Sequence, residues 1–324
     1  MKELAALIVF GIVIAAVPLF VTSGFALNIV IMTLYAALLG QAWNILAGFG
    51  GQFSFGHAVF FGTGAYAAAV LQVKFGWNAW AALPVAISLG AVVGAFIGAL
   101  SFRYGLRGSY FALVTLAFAE VFRILSNTFE FTGAGVGMMI PLAESAADFQ
   151  FGSRAGFLYV ILIFTLVACF VTWWLKHSRY GAWLQAVRDN EESAAALGVN
   201  VFRVKLGAIM ISGALMSAGG VFYTQYFHYI DPHIAYGPGV SVEALLGPIV
   251  GGMGTLFGPL LGAAALHLLG ELTRNLMGDA PGISLMTYGL VLVLMVTFLP
   301  RGIIGLFSGS GAAGTSKPME RPHA

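Results

Sequence analysis

Charge is what this sequence has least of. Its 324 residues include 15 Lys and Arg and 13 Asp and Glu, so charged groups make up 9% of the chain, against about 25% in a soluble globular protein. That is too few to clothe a water-soluble surface of this size, which all but excludes a cytosolic enzyme. There is one cysteine, Cys169, set in an apolar run; it allows no disulfide within the chain and no Cys-based metal site. The net charge of +2 comes without a basic cluster for nucleic acid. No G-x-x-x-x-G-K-[ST] stretch exists to cradle ATP phosphates, and neither H-E-x-x-H nor G-x-S-x-G occurs. The six histidines are scattered, none paired with an acid at ligand spacing. Energy, if used, comes from another subunit or from an ion gradient.

What is present is apolar surface in long runs. Hydrophobic residues make up 59% of the chain, and the mean hydropathy is +0.91. The runs fall at 4–21, 25–46, 53–72, 80–101, 108–127, 155–175, 206–226 and 283–299, with a more complex stretch at 240–270. A helix needs about 20 such residues to cross a bilayer. A membrane β-barrel would alternate apolar and polar residues, and these runs do not. The first run follows Lys2 as a signal peptide's would, but it is long for a cleavable segment and reads as a retained helix. Gly90, Gly94 and Gly98 form a small-residue stripe that lets another helix approach closely. The fold class expected is an all-α polytopic membrane protein. It is a bundle of about 8–10 spans with glycine-broken or re-entrant elements, one domain over 1–307, and a flexible tail over 308–324.

Basic residues set the orientation. Lys2, Arg103, Arg107, Lys176, Arg179, Arg188, Arg203, Lys205, Arg301, Lys317 and Arg321 fall between or beyond spans on one side, 11 of the 15 basic residues. The 128–154 loop falls on the other side, with Glu130, Glu144 and Asp148 against Arg154. Both termini are therefore expected in the cytoplasm. Parity then requires 240–270 to enter and return, either as a re-entrant pair or as two crossings, around Gly251-Gly252-Met253-Gly254. Gly50-Gly51-Gln52-Phe53-Ser54-Phe55-Gly56 is a similar break in the first half. Broken backbone is tolerated at membrane depth only where protein buries it or it lines a cavity. The two breaks mark either an internal repeat and a substrate path, or close helix packing.

The segment from Arg188 to Lys205 is polar and lies between spans. Asp189 can cap a helix whose third position is Glu192. Ala194, Ala195 and Ala196 favour helix, and Gly198 suits its C-terminal end. So short a helix is marginal alone in water, which points to a docking partner or else to an ordinary loop helix.

Here the chain resembles the permeases of ABC importers for branched-chain amino acids, specifically the LivM-type member. The resemblance rests on Gly51 to His57 with Phe60-Phe61-Gly62 and Gly64-Ala65-Tyr66. It rests also on Leu106 to Leu116 running on to Glu120, Arg123 and Asn127, on Arg188 to Asn200, and on Gly251 to Pro259. It departs from the family where Ala134 stands third in Thr132-Gly133-Ala134-Gly135-Val136-Gly137, and where Glu192 and Ser193 replace an apolar residue and Ala. The resemblance implies that 189–198 is a coupling helix, with Arg188, Asp189, Glu191, Glu192, Ala194, Ala195 and Gly198 toward an ATPase. It implies no catalytic residue, metal or bound cofactor, ATP being used by partner subunits. Those partners are two ATP-binding subunits, a LivH-type permease, and a periplasmic or lipid-anchored binding protein, in a bacterial or archaeal inner membrane.

Candidate path residues are Gly51, Gln52, Ser54, Gly56, His57, Glu243, Gly252, Gly254 and Thr255. His57 also suits a polar cap, and Glu243, without a sequence neighbour of opposite charge, also suits an interfacial position. Glu120 with Arg123, and Glu271 with Arg274, have the spacing of local pairs. A urea or short-chain amide permease is the alternative within the family. An ion-coupled carrier would need more central acids, and an intramembrane enzyme would need a converging constellation that is not apparent.

Overall fold

The computed structural model describes residues 2–21, 23–143, 145–277 and 302–307, with isolated positions from 286 to 297. Long helices follow the apolar runs: α1 (Lys2–Phe20), α2 (Gly24–Asn44), α3 (Ala58–Phe75), α4 (Ala79–Arg103), α5 (Gly108–Thr128) and α6 (Arg154–His177). Two polar helices come next, α7 (Arg179–Asp189) and α8 (Glu191–Ala196). They are followed by α9 (Val201–Phe227), α10 (Pro232–Tyr236), α11 (Pro238–Gly251), α12 (Gly258–Met277) and the short α13 (Gly302–Phe307). Eight segments among the described residues are long and apolar enough to cross a membrane. The span expected at 283–299 and the 308–324 tail lie outside the described residues.

The bundle has two chemically distinct ends. At one, Glu3 of α1 pairs with Lys176 of α6 at 2.5 Å and Arg107 pairs with Glu191 at 3.1 Å. At the other, Arg154 holds the Gly24 carbonyl at 2.5 Å, and Asn78 donates to Asp148 at 2.8 Å. There too Met138 and Met139 pair antiparallel with Ile230 and Tyr229. We call these the Arg188 end and the Asp148 end. Basic groups gather at the first, as the charge pattern anticipates.

Small residues decide how the helices meet. A side chain at Gly90 would strike Ser217 and the Gly213 carbonyl of α9, and one at Gly94 would strike the Ile209 backbone. Gly64 lies as close to Ser217, and Gly220 to the Phe61 carbonyl. So α3, α4 and α9 approach backbone to backbone, the arrangement that rewards dispersion where lipid removes the hydrophobic drive. Aromatic groups fill the wider gaps, with Tyr35 against Phe61, Phe222 and Tyr223 at centroid separations of 6.5, 6.3 and 6.0 Å.

Two elements differ from the apolar pattern. The third run begins at 53, but α3 begins at Ala58, and residues 50–57 form a non-helical link. The 240–270 stretch is a helical hairpin, α11 and α12, packed so tightly that Gly251 meets Gly258 and Gly262 meets Gly247. Its turn sits at the Arg188 end, beside Gly48. The pair therefore runs the length of the bundle, which is the crossing arrangement and not the re-entrant one. Gly302 lies against Gly251 and Gly252 at the same end.

Candidate functional site

The polar rim is built from α7 and α8. α7 ends at Asp189, and Asn190 is the cap of α8, its Oδ1 accepting the Ser193 N–H at 2.8 Å. This corrects the expected capping role of Asp189, whose side chain is 70% exposed and, among the described residues, bonds Arg188 at 3.1 Å. Adjacent Asp and Asn are both competent caps; the choice falls on Asn190 because α7 continues one residue further. α8 closes as expected. Gly198 has φ +86°, its N–H reaches the Ala195 carbonyl and that of Val199 reaches Ala194, the paired bonds of a Schellman ending.

α8 is held to the bundle through one face. Glu191 is bonded by Lys205 of α9 and by Arg107, and Ala194 is buried. Lys205 is 3% exposed and lies 5.4 Å from the Phe102 ring centre, a cation–π contact that helps offset its desolvation. The other face carries Glu192, Ser193, Ala195, Ala196 and Leu197, all exposed, Leu197 by 84%. A cavity of about 400 Å³ beside it is lined by Tyr180, Trp183, Leu197 and Arg203 among others. Burial pushes the Tyr180 phenol up to about 12, and its hydroxyl donates to the Val204 carbonyl at 2.7 Å, tying α7 to α9.

Arg188 joins this rim to the glycine breaks. Its Nη1 donates to the Gly48 carbonyl at 2.9 Å, and its stem covers Gly51, which has φ +66°. Gly48 belongs to a π-helical turn, Ile45–Phe49, that ends α2; such turns recur at functional sites. Asn44 then binds the second break. Its Oδ1 accepts the Gly254 N–H at 2.8 Å, and its Nδ2 donates to the Thr255 carbonyl at 3.0 Å. Gln41 donates to the Leu256 carbonyl at 2.6 Å and accepts from Thr172 at 3.0 Å. Thr255 Oγ1 donates to the Gly252 carbonyl at 2.8 Å and accepts the Gly258 N–H at 3.0 Å. The structure thus brings Gly51, Gly252, Gly254 and Thr255 to one place, with their turn satisfied by protein groups.

The 50–57 link is different. Gln52, Ser54 and Gly56 point inward, while Phe53 and Phe55 are 40% and 45% exposed. Trp43 donates to the Ser54 carbonyl at 2.9 Å. Among the described residues, the N–H groups of Phe53, Ser54 and Phe55 find no partner. His57 ends the link fully buried. Its Nε2 is 2.9 Å from Ser212 Oγ, whose hydroxyl donates to the Ala42 carbonyl at 2.6 Å. His57 is therefore the donor at Nε2, in a bond from the start of α3 to α9, and among the described residues its Nδ1 is left unpaired.

Glu243 is half-buried. It faces a cavity of about 590 Å³ between α2, α11 and α12. Glu120 and Arg123 pair as expected, as do Glu271 and Arg274 at 3.2 Å. Asn44, Gln41 and Leu197 were not picked out from the sequence, and Arg107 and Lys205 were read there for orientation and not as partners of Glu191. Asn44 and Gln41 sit inside an apolar span, where a buried amide was the available signal.

A bundle of apolar helices, interrupted by two glycine breaks and rimmed by one docked polar helix, is the architecture of a multi-pass membrane protein. Residues 25–296 match the branched-chain amino acid transport system / permease component family, and the chain belongs to it. It is 29% identical to the high-affinity branched-chain amino acid transport system permease protein LivM of Salmonella typhimurium, over 94% of this chain and 75% of that one. It is 25% identical to the corresponding permease protein LivH of Escherichia coli, over 83% and 91%. It is 24% identical to the ribose import permease protein RbsC of Escherichia coli, over 72% of each. No solved structure matches the chain.

Proposed function

We propose that this chain is the permease subunit of an ATP-driven importer of branched-chain or related hydrophobic amino acids. It lies in the inner membrane with the Arg188 end in the cytoplasm. The observation that carries the reading is α8, anchored by Glu191 and Ala194 with its opposite face free. One of the two ATP-binding subunits of the complex seats on that face, at Glu192, Ala195 and Leu197. Their closure on ATP pushes α8, and the push reaches α9 through Lys205 and both glycine breaks through Arg188. A rigid-body tilt of the bundle then switches access.

The open N–H groups of 53–55 support the same reading. Backbone with unpaired donors does not face lipid, so Phe53 and Phe55 face the translocation path or the second, LivH-type permease that shares it. Gln52, Ser54 and His57 stand behind them as neutral polar groups. A binding protein delivers substrate to the Asp148 end.

The test is uptake into proteoliposomes holding this chain, its second permease and its ATPase subunits, with the cognate binding protein outside. L-leucine, ribose and urea are offered in turn. ATP-dependent accumulation of leucine above the other two supports the reading, while preference for ribose or urea replaces the substrate class.

A further inference from the structure

The cavity beside Glu243 is not accounted for by the coupling apparatus or by the glycine breaks. It lies where α2, α11 and α12 meet, lined by Ala36, Gly239, Glu243, Leu246, Ala263 and His267 among others. Glu243 and His267 are about midway along their helices, so the cavity is at mid-depth. Three features give it chemical character. First, its walls are mainly aliphatic and enclose about 590 Å³, within the usual range for small-molecule sites. Second, its two ionisable groups both present acceptors. Glu243 makes no ion pair or hydrogen bond among the described residues. His267 Nδ1 is 3.2 Å from the Ala263 carbonyl, so Nδ1 carries the proton and Nε2 keeps its lone pair. Third, α10 breaks at Gly237 and α11 starts there without any side-chain cap. Pro238 and Gly239 of that first turn line the same cavity.

An acid in an intramembrane cavity with no partner among the described residues calls for a cationic one. Helical side chains lean toward the N-terminus, so Glu243 leans back over Gly239, one turn before it. An ammonium on Glu243 and a carboxylate toward the start of α11 thus fall within the span of one zwitterion. Midplane sites at discontinuous helices are built in this way.

We propose that this cavity is a binding site for an α-amino acid with a short branched alkyl side chain. The ammonium bonds Glu243 and His267 Nε2, and the alkyl group lies among Ala36, Leu246 and Ala263. The proposal rests on the functional reading above and adds where in this subunit the substrate pauses.

The experiment uses the reconstituted complex with L-leucine as probe and three variants. Glu243→Gln removes the charge without changing shape, Val242→Trp fills the cavity from its exposed side, and Glu243→Asp restores the charge. Copurification with the ATPase subunits reports that each variant is assembled. The expected result is a rise in the KM for leucine uptake of about tenfold or more in Glu243→Gln, partial rescue in Glu243→Asp, and loss of uptake in Val242→Trp. A diazirine analogue of leucine should label peptides from α11 or α12, with excess leucine suppressing the label. If wild type imports leucine while Glu243→Gln and Val242→Trp keep its KM, or if labelling falls only elsewhere, the site is overturned and the functional reading stands. If wild type imports no leucine, the functional reading fails and the site with it.

Discussion

Asn44 bonds two backbone groups that lie 210 and 211 residues away in sequence, at Gly254 and Thr255. Within a bundle, each group left unpaired costs about 1–3 kcal/mol. Asn44→Leu keeps the branched shape but removes both bonds, so the thermal midpoint of the detergent-purified chain should fall by several degrees, read by intrinsic fluorescence; an unchanged midpoint would contradict the clamp. Ala134 is a converse case. It holds φ +47°, a conformation costing a non-glycine residue about 1–2 kcal/mol. Ala134→Gly should raise the same midpoint slightly, because the relief exceeds the entropy glycine adds to the unfolded chain, about 0.4–1 kcal/mol. At this scale the sequence was legible in part. The end of α8 at Gly198 could be read because a left-handed residue there needs glycine. The cap at Asn190 could not, because Asp189 qualifies equally until the end of α7 is known. Nor could Asn44, whose partners are distant in sequence.

Among the elements, the stripe on α4 was readable because small residues every fourth position have one packing use. Gly90, Gly94 and Gly98 indeed meet α9. The 50–57 link was not, because Phe53 and Phe55 continue the apolar run and only conformation separates them from a helix. α8 was recognised as an element, and its two faces emerge only from what it packs on. That division yields a prediction. Ala195→Trp enlarges the free face, and Gly198→Pro forces φ near −65° where +86° is required. Both should leave the chain inserted and copurifying with the second permease. Both should leave ATP hydrolysis running in the complex while leucine uptake drops by about tenfold or more. Unaltered uptake in both would remove α8 from the coupling route.

Over the whole molecule, charge sorting between the two ends was legible in the positions of the basic residues, and the number of passes was not. The 240–270 stretch satisfies parity either as a re-entrant pair or as a crossing hairpin. Only the meeting of Gly254 with Asn44 at the Arg188 end distinguishes them. Single cysteines at Ala147 and Ala195, in a Cys169→Ala background, should label from opposite sides of sealed vesicles with an impermeant maleimide. Labelling of both from one side would dismantle the two-ended arrangement. The central claim is that ATP hydrolysed at the Arg188 end drives movement of an amino acid through this bundle. Its most direct measurement is leucine uptake by proteoliposomes of the complete complex, compared with ATP at the α8 face, with a non-hydrolysable analogue there, and with a proton or sodium gradient alone. Accumulation with ATP only is the predicted result; accumulation driven by either gradient without ATP would contradict it.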